Sequence, residues 1–109
     1  MTAKAEYEKA IDLFGQGRAD DAVSALEALI AREPAFADAY ESLGMILYRT
    51  GKIDDAIRWT EKLAALRPED PMAHTNLSIF YMKKGMKEKA EEEKARATVL
   101  HFSKPGHTP

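Results

Sequence analysis

Glycine recurs at Gly17, Gly51 and Gly85 in two steps of 34 residues, and alanine keeps the same step at Ala22, Ala56 and Ala90. Ala5, Ala39 and Ala73 repeat it once more. A period of that length allows one supersecondary element per step, and no single element can bury its apolar face alone. Stacking neighbours around a shared core is the solution such a pattern permits. It directs function towards binding and away from catalysis.

The units run over residues 3–36, 37–70 and 71–104 of a single domain. In each, apolar residues at helical spacing lead to the glycine, and a second helical segment follows it. Ala5, Ala10 and Leu13 precede Gly17; Ala39, Leu43 and Leu47 precede Gly51; Ala73, Leu77 and Tyr81 precede Gly85. Each glycine suits the left-handed residue that closes a helix. The second segments open on Asp20 and Asp21, Asp54 and Asp55, or Glu88, acids that suit the positive end of a helix dipole. Pro34 and Pro68 stop two of them, and Asp70-Pro71 reads as an N-cap followed by proline at the first helical position. Six helices are predicted, at about 3–16, 20–32, 37–50, 54–66, 71–84 and 88–101. Small residues at Ala10, Gly44 and Ser78 should meet Ala22, Ala56 and Ala90 where paired helices approach, with Leu13, Leu26, Leu47, Leu63, Leu77 and Tyr81 filling the space beside them.

Composition narrows the partners. A net charge of −2 and the lack of a basic block interleaved with aromatics argue against nucleic acid. With no cysteine there are no disulfides, thiolate metal sites or cysteine nucleophiles, which fits a reducing compartment. The opening residues, Met1 to Tyr7, lack the apolar run of a signal peptide, and no stretch approaches a membrane span. A cytoplasmic protein, with neither membrane nor nucleic acid as partner, is the expectation.

The segment Ala39-Tyr40-Glu41-Ser42-Leu43-Gly44-Met45-Ile46-Leu47-Tyr48, followed by Gly51 to Ile57 and then Pro68, resembles a tetratricopeptide repeat. The second unit matches best. The first carries Glu6, Lys9 and Ala10 where the family favours Trp, Leu and Gly, and the third has Phe102 in place of the closing proline. The resemblance implies an all-α fold, a right-handed superhelical stack of three helix-turn-helix units (an α-solenoid). The polar run Glu91 to Thr98 in the last helix reads as a cap that ends the stack, and residues 105–109 as a flexible tail.

The same resemblance places the first helix of every unit on the concave side. The inward positions are then Lys4, Tyr7, Ile11 and Phe14; Asp38, Glu41, Met45, Tyr48 and Arg49; and Met72, Thr75, Ile79, Met82 and Lys83. A peptide-binding groove is expected at Tyr7, Ile11, Phe14, Glu41, Met45, Tyr48, Ile79 and Met82, although Ile11 and Phe14 could equally serve as core. About 40 Å² exposed on each of the seven apolar or aromatic members gives roughly 300 Å², near the scale of interaction patches. At about 25 cal/mol/Å² that is ~7 kcal/mol before ordering costs, matching micromolar or weaker binding. The implied function is a non-enzymatic adaptor that binds a helix or an apolar peptide from another protein, as a monomer or weak homo-oligomer. The alternative is a self-assembling structural protein, joined through its outer face or stack ends. A chaperone-tail clamp is not expected: its basic and amide positions fall on Tyr7, Ile11, Ser42, Met72 and Asn76, none of them basic.

No catalytic or cofactor constellation stands out. Asp70, His74 and Ser78 share a helix face, but Asp70 is the expected cap, Ser78 the packing residue, and no oxyanion donors accompany them. His101 and His107 lack a third zinc ligand. Phe14-Gly15-Gln16-Gly17 follows a helix and not a strand, so it is no phosphate loop. Trp59 should pack between units or lie on the outer face.

Overall fold

The structure is a computed structural model, and it describes residues 1–103. Lys104 and the tail expected at 105–109 lie outside the described residues. Six α-helices follow in order: α1 (Ala3–Gly15), α2 (Ala19–Arg32), α3 (Ala37–Arg49), α4 (Ile53–Leu66), α5 (Pro71–Lys83) and α6 (Lys87–Ser103). They pair as α1 with α2, α3 with α4 and α5 with α6, and each pair packs on the next. This is an α-solenoid of about three units.

The 34-residue step works through local chemistry. Gly17, Gly51 and Gly85 take φ values of +80°, +85° and +79°, where a Cβ would be strained. The residues after them, Arg18, Lys52 and Met86, donate their N–H groups back to the carbonyls of Leu13, Leu47 and Tyr81. This paired closure satisfies carbonyls that the helix end would otherwise leave open. Asp70 Oδ1 accepts from the Met72 N–H at 3.0 Å, and Pro71 opens α5, as expected.

Close approach within a unit rests on small residues. Ala10, Ala22, Ala56 and Ala90 are buried, and Gly44 is buried between α3 and α4. A Cβ on Gly44 would lie 2.6 Å from Thr60 Oγ1, whose hydroxyl donates to the Ala56 carbonyl at 2.7 Å. Phe80 of the third unit closes the same spot from outside, its ring edge 3.9 Å from that position. Ser78, at the same register in the third unit, is only half-buried.

The first unit differs from the other two. Leu43 and Ile46 of α3, and Leu77 and Phe80 of α5, are buried. At the equivalent register α1 carries exposed Lys9 and Asp12. Unit one therefore presents a polar face at the register that is buried in units two and three.

Candidate functional site

Each first helix buries one side and offers another. In α3 the buried set is Ala37, Ala39, Tyr40, Leu43, Gly44, Ile46 and Leu47. The i, i+3, i+7 stripe opposite holds Asp38, Glu41 and Met45, and continues to Tyr48. On α5 the corresponding residues are Met72, Thr75, Ile79 and Met82. Met72, Ile79 and Met82 are 45%, 44% and 52% exposed, while Phe80 on the other side of the same helix is fully buried. On α1, Tyr7, Ile11 and Phe14 are half-buried, as are Glu41, Met45 and Tyr48 on α3.

Two of the expected groove residues also join neighbouring units. The Tyr48 ring stacks on Phe80 at 4.8 Å between centroids, with 27° between the planes. The Tyr7 hydroxyl shares a 2.6 Å hydrogen bond with Ser42 Oγ, and its ring lies 5.6 Å from that of Phe36. The openly apolar part of the face is thus narrower than seven residues, centred on Met72, Ile79 and Met82 beside half-buried Met45.

Glu41 is the one acid among the eight expected groove residues. Its carboxyl is raised from the ordinary value, first by burial and then by the charges of Asp38 and Asp70, with Arg67 opposing. Arg67 reaches Asp70 at 3.9 Å. Among the described residues no cation forms an ion pair with Glu41.

The other sequence candidates separate. His74 Nδ1 is hydrogen-bonded to Glu93 Oε2 at 2.7 Å, and Asp70 serves its own helix as cap, so no Ser-His-Asp chain forms. Glu93 is only 6% exposed, buried within a helix whose sequence predicts a polar cap. The signal lay in the repeat: 34 residues earlier, Tyr40 and Trp59 occupy the same two positions and meet at 5.9 Å. Trp59 is half-buried against Tyr40, with Lys62 Nζ 4.6 Å from its ring centroid. Among the described residues no group of three His, Cys, Asp or Glu could hold a metal ion. His107 falls outside them. No described helix is long and apolar enough to cross a membrane.

Similar proteins agree with this architecture. MamA superposes with a TM-score of 0.86 at 28% identity, over 92% of this chain and 58% of MamA. The CopN-Scc3 complex gives 0.87 at 22% identity, over 94% of this chain and 61% of the matched one. The Yersinia enterocolitica type III secretion chaperone SycD, solved with a peptide of the translocator YopD, gives 0.86 at 22% identity, over 94% and 78% of the two chains. The chain thus spans about three-fifths of the length of MamA and of the chain matched in the CopN-Scc3 complex. The likeness below 25% identity is one of fold. No curated protein matches the sequence. The tetratricopeptide repeat family model matches residues 7–71, more than half of the sequence. The chain belongs to the tetratricopeptide repeat family.

Proposed function

We propose that this chain is a non-enzymatic protein-interaction module that takes an apolar peptide or helix against the face carried by α1, α3 and α5. The observation that supports it most is the exposure of Ile79 and Met82, at 44% and 52%, on a helix whose opposite side is fully packed. A folding role would have hidden them. Methionines at Met45, Met72 and Met82 adapt to varied apolar side chains. SycD, whose fold this chain shares, was solved with a peptide of YopD.

The test is a fluorescein-labelled nine-residue peptide with leucines at alternate positions, titrated by anisotropy. Binding in the micromolar range is expected, with loss of about tenfold or more in the Met82→Glu, Ile79→Asp double variant, whose melting stays close to wild type. Equal binding by the double variant would defeat the groove reading. A cytoplasmic setting suits a chain without cysteine.

A second reading, self-assembly, draws on the stack ends. Between α5 and α6 lies a shallow groove whose lining includes Ser78, Ile79, Lys94, Ala97 and Phe102. Head-to-tail stacking would set Lys9 and Asp12 of a second copy against it, which favours contact between like ends. Light scattering across a concentration series decides, and a strict monomer removes this reading.

A further inference from the structure

The chain has five buried or half-buried carboxylates among its described residues: Glu6, Glu41, Asp55, Asp70 and Glu93. Four have a cation. Arg32 meets Glu6 at 2.6 Å, Arg58 meets Asp55, Arg67 meets Asp70 at 3.9 Å, and Arg96 meets Glu93 at 2.6 Å. Glu41 is the exception. It stands one helical turn before Met45 on the face described above; Asp38 and Asp70 add repulsion to its burial, and Arg67, engaged with Asp70, opposes them without reaching it as an ion pair. Neutral residues, Tyr7 and Thr75, hold the same register in the other units, so the fold does not require an acid there.

We propose that the groove selects peptides carrying a lysine or arginine beside their apolar residues, and that Glu41 receives that cation. This rests on the peptide-binding reading above and names its ligand more closely. A carboxylate partly withdrawn from water and left without an ion pair lowers stability. An incoming ammonium or guanidinium removes that penalty and forms a charge-assisted hydrogen bond in a setting drier than the open surface. Met45, Ile79 and Met82 meanwhile cover the peptide's apolar side chains. A metal ion is a poor alternative occupant, since no described acidic group has metal-binding geometry.

The probe is a set of fluorescein-labelled nonapeptides with one leucine-rich core, in which a single lysine or glutamine is moved through the remaining positions. Each is titrated against the full chain and against Glu41→Gln at pH 7, in low and high salt. At one position the lysine peptide is expected to bind about 5–10-fold tighter than its glutamine counterpart. That preference should fall below about twofold in Glu41→Gln and in high salt, while the glutamine peptide binds both proteins alike. Glu41→Gln should also melt at or above the wild-type temperature, an outcome opposite to that of a structural acid. Equal binding of lysine and glutamine peptides at every position, with sensitivity to Met82→Glu kept, overturns the cation selection and leaves the groove reading standing. A lysine preference that survives Glu41→Gln overturns it as well. No binding by any peptide, or self-association that Met82→Glu abolishes, overturns both.

Discussion

His74 and Glu93 meet at 2.7 Å in the third unit, at the register where Tyr40 and Trp59 meet in the second. An aromatic contact between paired helices has been exchanged, as a couple, for a hydrogen-bonded polar one. The other Glu93 oxygen takes Arg96 at 2.6 Å, so a side chain only 9% exposed has both oxygens satisfied. Glu93→Ala should therefore cost about 2 kcal/mol in urea unfolding, because His74 loses its partner in a partly buried site. The double change His74→Tyr, Glu93→Trp should restore the second unit's contact and return stability to within about 1 kcal/mol of wild type. A double variant as weak as the single one would show that the two units pack differently.

Gly44 and Thr60 form a second dependent pair. An added Cβ would meet Thr60 Oγ1 at 2.6 Å, and a β-branched side chain has little freedom to turn aside. Gly44→Ala is expected to destabilise by about 1–3 kcal/mol despite alanine's better helix propensity. In a Thr60→Ala background the oxygen is gone, and the same substitution should become neutral or stabilising by up to about 1 kcal/mol. A double-mutant cycle in chemical denaturation measures the coupling, and additive effects would contradict it.

Tyr48 and Met82 lie in the same expected groove yet should differ in what they do for the fold. Tyr48→Ala removes the stack on Phe80 and should cost about 2 kcal/mol. Met82→Glu changes a side chain 52% exposed and should shift stability by less than about 0.5 kcal/mol. Thermal and urea melts of the two variants separate packing from surface.

The pH dependence of Glu41 has a definite sign. Its carboxyl is raised in the folded state, first by burial, so the native chain keeps that proton where the unfolded chain has lost it. Its contribution is most favourable below the ordinary carboxylate value and is lost as pH rises through the folded value. The melting temperature of Glu41→Gln should gain on wild type as pH goes from about 4 to 7. Asp54 runs the other way: its hydrogen bond from Lys84 lowers its carboxyl, so that stability is present above the ordinary value and lost in acid. A Glu41→Gln gap that stays constant over this range would contradict the assignment.

The helix boundaries were legible in the sequence because they depend on near neighbours. Gly17, Gly51 and Gly85 close helices through backbone geometry that few other residues adopt, and Asp70 caps a helix two residues away. The expected helices agree with α1 to α6 to within a residue at most ends, with α6 running two residues further to Ser103. The site was legible only as a row of positions. Repetition of Tyr7, Glu41 and Thr75 shows which residues share a face, but not which of them the next unit covers.

Sequence alone determined the period, the chain reversals and the small residues where helices close up, since each follows from steric rules acting within one unit. Tertiary structure decided that Tyr48 rests on Phe80, that Gly44 answers to Thr60, and that Glu93 is buried in a helix rich in charge. It also decided that Glu41 is half-buried without an ion pair. The contacts join residues 16 to 32 positions apart, and the last is a deficit of contact. They depend on how the two helices of a pair meet, as for Gly44 and Thr60, or on how one pair leans on the next, as for Tyr48 and Phe80, and a repeat pattern leaves both open.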